Sequence, residues 1–455
     1  MFRKGIILCL VLVFISLVCY GEQPSNRTVS EKIFIKIDTS SWITKSLKTS
    51  PDCRHIACLV KIDDKVFVVV DGEEGKQYDD IGSDPIFSPD NKRVAYLAKI
   101  GDKVFVVVDG EEGKQYNGIG SDPIFSPDSK RVAYLAKMGD KWLVVVDGEE
   151  GKQYDSLTKN SFTFSSDSNQ VAYSARVGDK RFVVMDGNEG KQYDSTREGT
   201  PIFSPDNRRM AYVAFVGDKV FVVVDGEEGK EYDGIDCLIF SPDSRRVAYM
   251  AKIGDRWLVV VDGEEGKGYN DIDCLIFSPD SRRVAYMAKM GDRWLVVVDG
   301  EENKQYDDIG GLIFSPDSRR VAYAPMVGDR WFVIVDEEEG KQYDSIRKGN
   351  LIFSPDSRRV AYAAGVGDKR FVVVDGEEGK QYDGITEGCL IFSPDSKHVA
   401  YAAGVGDKWF VVVDGEESKQ YDGIGKGKII FDSPDSLHYQ AREGNELYLV
   451  EEKMK

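Results

Sequence analysis

Apolar and polar positions along this chain follow a block that recurs every 37 to 40 residues. Aligned on the tripeptide Ser-Pro-Asp, the blocks place their serines at Ser50, Ser88, Ser126, Ser165, Ser204, Ser241, Ser278, Ser315, Ser354, Ser393 and Ser433, the fourth reading Ser-Ser-Asp. Residues 235–265 and 272–302 match throughout except for Ile253 against Met290, so one structural unit has been copied. Regular self-similarity at such a period marks a repeat array, which grows by adding units and not by enlarging one core.

The unit from Leu238 to Ile272 predicts four short strands. Leu238-Ile239-Phe240 is the first, and Ser241-Pro242-Asp243-Ser244 a turn in which proline presets φ and Ser and Asp bond nearby amides. Val247 to Lys252 is the second strand, reversed by Gly254-Asp255, where glycine supplies the positive φ of a two-residue hairpin. Trp257 to Val261 is the third. Asp262 to Gly266 reads as a further reversal and Lys267 to Tyr269 as the start of a fourth strand. The three consecutive valines of the third strand predict a sheet covered on both faces, since a half-wet sheet would alternate. No segment has a helical period, and Gly or Pro falls too often for a helical solenoid.

Four strands per unit predict an all-β fold, a β-propeller of four-stranded antiparallel blades. Ten full copies are present, and the last unit has three strands but lacks a fourth. The β-type run Ile33 to Ile37 is expected to supply it, joining the two ends in one sheet and leaving no exposed edge. Ten to eleven repeats exceed the usual four to eight blades, which leaves one large ring, two fused smaller rings or an open spiral. The domain reading is a signal peptide over 1–21, an N-terminal segment with the closing strand over 22–48, and the repeat array over 49–455.

The secretory reading of 1–21 rests on Arg3 and Lys4, the 13-residue apolar run Ile6 to Val18, and the small residues Cys19 and Gly21 before Glu22. The run is shorter than the ~20 residues of a membrane span. Lipid attachment at Cys19 is the alternative, but Ser16-Leu17-Val18 lacks the small residues of such a site, so simple cleavage is expected. The chain is then exported, periplasmic or secreted, with no transmembrane segment after cleavage. Loss of Arg3 and Lys4 takes the net charge from −18 to −20. An acidic surface without basic clusters disfavours nucleic acid. Five of the seven cysteines would remain, an odd number with no CxxC pair, so no disulfide framework or zinc site is indicated. Cys237, Cys274 and Cys389 share one repeat position and read as small buried hydrophobes.

The string FSPDSRRVAY, at Phe240–Tyr249, Phe277–Tyr286, Phe314–Tyr323 and Phe353–Tyr362, resembles the signature of WD-like propeller repeats of the TolB type, and variants of it span nearly the whole chain. The resemblance implies a periplasmic or secreted protein-binding propeller, or the propeller of a prolyl-oligopeptidase-type enzyme. The α/β domain that precedes TolB propellers is absent from the 22–48 segment, and no GxSxG nucleophile turn occurs.

Only His55, His398 and His438 are available as histidines; they occupy different repeat positions beside no nucleophile, so the chain is read as non-catalytic and without cofactor. The recurring Asp-Gly-Glu-Glu-Gly-Lys turn, as in Asp71–Lys76, Asp109–Lys114 and Asp225–Lys230, could be a calcium loop or a glycine hairpin with solvated charges. Its adjacent glutamates point apart and lack the alternation of a calcium loop, which favours the hairpin and no metal. Strand order puts this turn and the Ser-Pro-Asp turn at one face, so Arg245 and Arg246 should meet acidic turns there. The opposite face carries the Gly-Asp turns and the connections between blades, which vary most. Beside them the position opening the third strand is Trp142, Trp257, Trp294, Trp331, Trp409, Arg181 or Arg370, and valine elsewhere. These residue types are enriched at interfaces and make this face the candidate for a protein or peptide partner. Packing into grooves between blades is the bland reading of each one. A carbohydrate-binding propeller, stacking sugars on the Trp residues, is the alternative function.

Overall fold

The computed structural model describes residues 27–36, 43–158, 161–347 and 349–455; residues 1–21, expected to be a signal peptide, and Cys19 among them lie outside these. These residues form eleven antiparallel sheets in a single closed ring, a β-propeller with no α-helix and one 3-10 turn at Thr44–Ser46. No helix among them is long and apolar enough to cross a membrane.

In blade 6 the strands are Gly234–Phe240, Val247–Ile253, Arg256–Val261 and Glu264–Glu265, paired in chain order. Two features differ from expectation. The fourth strand begins at Glu264, because the preceding reversal needs only Asp262 and Gly263, with φ of +53° and +86°. It then bulges at Gly266 and re-pairs at Tyr269 with Trp257. The first strand also starts earlier: in blade 2 it consists of Asp80–Ile81 and Ile86–Phe87, both paired to Val94–Ile100 and separated by a loop. Part of each variable connection therefore belongs to the sheet. A groove lined by Lys48, Asp84, Phe87, Asp122 and Lys428 is shared by four consecutive blades. Only the axis of the ring is reached by four blades at once, so the first strands and their loops wall the central channel.

The valine run works as expected from two-sided burial. Val260 belongs to the core shared with blade 5, beside Val213 and Tyr232, whereas Val259 faces blade 7, beside Tyr286. Full burial of one such side chain is worth about 1.5–3 kcal/mol, and every blade repeats it. Tyr232 meets Tyr249 of the next blade edge-to-face at 6.0 Å, and equivalent tyrosine pairs recur round the ring. Of the aligned cysteines, Cys389 is buried as predicted. Cys237 and Cys274 are only half-buried, because each sits on a bulge with positive φ (+49° and +54°).

Polar contacts stitch the seams between repeats at both faces, as in the seam between blades 5 and 6. Between blades 5 and 6 the Asp206 amide donates to Ser244 Oγ at 2.8 Å. Ser244 has a left-handed φ of +67°, uncommon for serine. Glycine would hold that backbone more easily but offers no oxygen to the neighbouring amide. At the other face Asp233 accepts from Lys219 at 2.5 Å and from the Gly254 amide of the next blade at 2.7 Å.

Ring closure uses both ends of the chain. Arg27–Lys36 pairs antiparallel with Glu446–Met454 as the outermost strand of blade 11. It is longer than the expected run and begins six residues before Ile33, and Ile37 lies outside the described residues. Arg27 donates to Glu452 at 2.8 Å and to the Glu416 carbonyl of blade 10 at 2.6 Å. Tyr439 donates to the other Glu452 oxygen at 2.6 Å. Both members of the Arg27–Glu452 pair are buried, with side chains 2% and 0% exposed. The seam from blade 11 to blade 1 departs from the repeat: Cys53 stands where Ser244 stands in blade 6, and Gln440 instead donates to the Cys53 carbonyl at 2.8 Å.

Replacing Arg27 with Ala would leave Glu452 buried without its cation. The expected loss is about 3–5 kcal/mol, of the size found when one partner of a buried pair is removed. Denaturant unfolding of R27A against the parent protein checks this, and a loss under ~1 kcal/mol contradicts the role assigned to the pair.

Candidate partner-binding face

The two faces of the ring are built from different turns and differ in what they leave unsatisfied. At the Ser-Pro-Asp face the turn is closed by its own side chains. Ser241 donates to Asp243 at 2.7 Å, the Arg245 amide donates to the same carboxylate at 3.1 Å, and the Arg246 amide donates to Ser241 Oγ at 2.9 Å. The Ser hydroxyl, ahead of the backbone amide, holds the carboxyl below its ordinary range, as low as about 2 at Asp128.

Arg246 then pairs with Asp262 of its own blade at 2.9 Å, donates to the Arg282 carbonyl of the next blade at 3.2 Å, and lies 5.4 Å from the Phe277 ring centroid. The predicted meeting of arginines and acidic turns is present for Arg246. Arg245 is solvated and comes no nearer to an acid than 4.0 Å, at Asp243 of its own turn. His55 and His398 both stand at the Arg246 position, in blades 1 and 10, so these two share a repeat position where different ones were expected; each has Nδ1 2.6 Å from the turn aspartate. Both are turn residues bonded to a carboxylate of their own blade. His438 lies in the blade 11 seam, 2.8 Å from Asp432 and 2.7 Å from the Asp52 carbonyl. Outside the turns a relay of ion pairs runs blade to blade, with Lys230 on Glu265 at 2.7 Å, Lys267 on Glu302 at 2.8 Å, and finally Lys419 on Glu31 of the closing strand at 3.1 Å. In the Asp-Gly-Glu-Glu hairpin Glu264 and Glu265 pair directly with Val261 and Val260, so adjacent glutamates project to opposite sides of the sheet.

The opposite face carries the Gly-Asp hairpins. Trp142, Trp257, Trp294, Trp331, Trp409, Arg181 and Arg370 all occupy one register position near these hairpins, one per blade, and all are half-buried. They are not gathered into one constellation. Lys137, Lys252 and Lys289 place their ammonium groups 5.7, 5.8 and 5.5 Å from the Trp142, Trp257 and Trp294 rings. Trp257, Trp294 and Trp331 pack onto the inter-blade cores. Trp409 lies across Gly404, where a Cβ would come within 3.0 Å of the indole. Arg181 donates to Thr158 Oγ1 at 2.7 Å, and Arg370 donates to the carbonyls of Gly367 and Lys369 at 2.8 and 2.9 Å. Packing between blades describes Trp257, Trp294 and Trp331, whereas Trp409 and Arg370 make their contacts within their own blades.

The most exposed apolar groups on this face are others. Ile62, Ile100, Val177, Val216, Ile253, Val327, Val366 and Val405, the last residues of their second strands, are 41–50% exposed. Each stands immediately before the hairpin turn, so no further chain covers it. Their signal in the sequence was an apolar residue at a strand end next to Gly-Asp, or next to Asp63-Asp64 in the case of Ile62. No protein-family model matches the chain, and no curated protein matches it. Among solved structures it is similar to the Dos1 propeller (12% identity, covering 74% of this chain and 94% of that one, TM-score 0.32). It is also similar to the β-propeller domain of the trilobed protease from Pyrococcus furiosus (16%, 58% and 97%, TM-score 0.29). A third is dihydro-heme d1 dehydrogenase NirN (15%, 63% and 72%, TM-score 0.31).

Two predictions concern the turns. Arg246→Lys keeps the charge but loses the planar contacts to Phe277 and the Arg282 carbonyl, with an expected loss of about 1–2 kcal/mol. Lys230→Met, which breaks one exposed pair, should cost less in the same denaturation experiment. Turn aspartates such as Asp243 and Asp280 have folded pKa values lowered from the ordinary 3.8, and Asp128 and Asp395 are lowered to about 2, chiefly by the hydrogen bond from the turn serine. A depressed pKa contributes stability that is present above the unfolded value and lost as pH falls through the folded one. Thermal melting should therefore hold down to about pH 4 and fall between about pH 4 and 2. Ser126→Ala brings the folded value of Asp128 back toward the unfolded one, so the stability lost between neutral pH and pH 2 should be smaller in this variant than in the parent.

Proposed function

We propose that this protein is a non-catalytic binding scaffold that engages a protein or peptide through the face bearing the Gly-Asp hairpins. The observation that carries the reading is the circle of exposed apolar side chains at the hairpin tips, repeated in eight blades. Soluble proteins seldom expose apolar groups in such an ordered array unless another surface covers them. At the other face the arginines are already committed to turn aspartates and neighbouring carbonyls. The blade signature FSPDSRRVAY, which resembles TolB-type repeats, and the secretory character of residues 1–21 support the same role outside the cytoplasm. A carbohydrate-binding role draws support from the half-exposed indoles alone, and three of these are already covered by lysine.

The test is a photo-reactive amino acid placed at Val216 on the hairpin face or at Arg245 on the turn face, irradiated in cells that make the protein. Polypeptide adducts are expected from position 216 and not from 245. Adducts from 245 alone, or equally from both, overturn the reading. A glycan-induced change in Trp fluorescence without adducts would favour the carbohydrate role.

A further inference from the structure

At the hairpin face, eight seams of the ring carry the same aspartate bridge. The aspartate follows the fourth-strand tyrosine. One of its oxygens takes a lysine or arginine of the preceding blade and the other a hairpin glycine amide of its own blade. Asp79 holds Lys65 at 2.5 Å and the Gly101 amide at 2.7 Å, and Asp383 holds Lys369 at 2.6 Å and the Gly406 amide at 2.8 Å. Two seams have asparagine at this position instead, Asn117 and Asn270. Asn270 is held from both sides, its Oδ1 accepting from Arg256 at 3.2 Å and from the Gly291 amide at 2.9 Å. Asn117 is exposed, and among the described residues its side chain meets only the Gly139 amide, at 3.4 Å. Lys103, which stands where Lys65 does, has no carboxylate partner among the described residues.

Asn117 differs from Asn270 in one further respect. It precedes Gly118, the only Asn-Gly step in the chain, whereas Asn270 precedes Asp271. The Asn117 amide donates to the Lys137 carbonyl at 3.1 Å, and Gly118 pairs with the same Lys137, at the start of a strand two residues long. A ladder opens most easily at such an end.

We infer that Asn117 is a site of spontaneous deamidation, and that its aspartyl product completes the missing bridge between blades 2 and 3. Gly118 has no side chain, so its amide nitrogen can approach the Asn117 carboxamide closely. That nitrogen bonds to Cγ and the bond from Cγ to Nδ2 breaks. The Gly118 amide proton leaves with Nδ2 as ammonia, and a five-membered imide remains. Water then opens the imide, at Cγ to give aspartate or at the main-chain carbonyl to give isoaspartate. The net change is amide plus water to acid plus ammonia, with no oxidant or reductant. The ring distinguishes the two acids. Aspartate offers Lys103 a carboxylate and the Gly139 amide a charged acceptor, whose hydrogen bond is roughly twice as strong as a neutral one. Isoaspartate instead lengthens the backbone by one methylene beside the ladder to Lys137.

The test ages the full chain at mildly alkaline pH, digests it at mildly acidic pH, and separates and weighs the peptides. A gain of one mass unit is expected at Asn117 and not at Asn270. The gain should slow when ageing is done at mildly acidic pH, because the attacking amide must lose its proton. It should be lost in Gly118→Ala over the time in which the parent converts by half. A Cβ at 118 would stand 3.8 Å from Lys137 Cβ, an ordinary contact, and Ser156 and Ser195 fill the position in other blades, so this variant keeps the fold. Circular dichroism checks that it does. Peptides from Asn117→Asp mark the aspartyl product, whose share should be larger in chain aged folded than in chain aged in denaturant.

Equal gain at Asn270, undiminished gain in Gly118→Ala, or no gain in the folded chain overturns the site. An aspartyl share no larger in the folded chain than in denaturant overturns the selection by the ring.

Discussion

A blade of this protein has no side of its own that is stable in water. Alternate residues of the third strand feed two different cores, Val259 toward one neighbour and Val260 toward the other. A sheet apolar on both faces must be covered twice, and identical units meet that demand only by surrounding an axis. The tyrosine pairs, the Asp206 amide on Ser244, and the Asp233 bridge to Gly254 are arranged around this requirement. They set the spacing and angle of surfaces that apolar burial brings together. The closing strand follows from the same demand, because an open ring would expose the apolar faces and sheet edges of its terminal blades.

Much of this was legible in the residues. The Ser-Pro-Asp spacing gave the strand order, the triple valine two-sided burial, and the unfinished last unit a closing strand near Ile33. Strand starts were less legible. Asp262 and Gly263 make a complete turn, so Glu264 and Glu265 are ladder residues, yet as a sequence Asp-Gly-Glu-Glu-Gly reads as one long polar reversal. The connections looked like surface loops because they vary. Pairing of Asp80–Ile81 with the second strand draws part of each into the channel wall, and pairing of that kind has no marker in side-chain type.

The candidate face shows why residue type alone misleads about exposure. Tryptophan and arginine attract attention as interface residues, but Trp257 lies beneath a lysine and against an inter-blade core, and Arg370 is spent on nearby carbonyls. Plain valines at strand ends are more exposed because the hairpin stops just beyond them. The two faces also differ in how charge is handled. At one, a guanidinium serves an aspartate, a carbonyl and a phenyl ring together, which favours order over availability. At the other, Lys180, Lys219 and Lys369 are each tied to an aspartate while Arg256 meets only Asn270, and the hairpin aspartates are left to the solvent.

The pairing of Arg27–Lys36 with Glu446–Met454 has a consequence for assembly in time. The strand that completes the ring is among the first parts of the described chain to be synthesised, and its partner is the last. Every blade from the first to the tenth can form before that pairing, but the two cannot meet until the C-terminal residues emerge. The contact spans nearly the entire chain, so loop-closure entropy weighs on it more than on any neighbouring blade pair. Until then a growing chain is an open arc with a sticky face at its leading end.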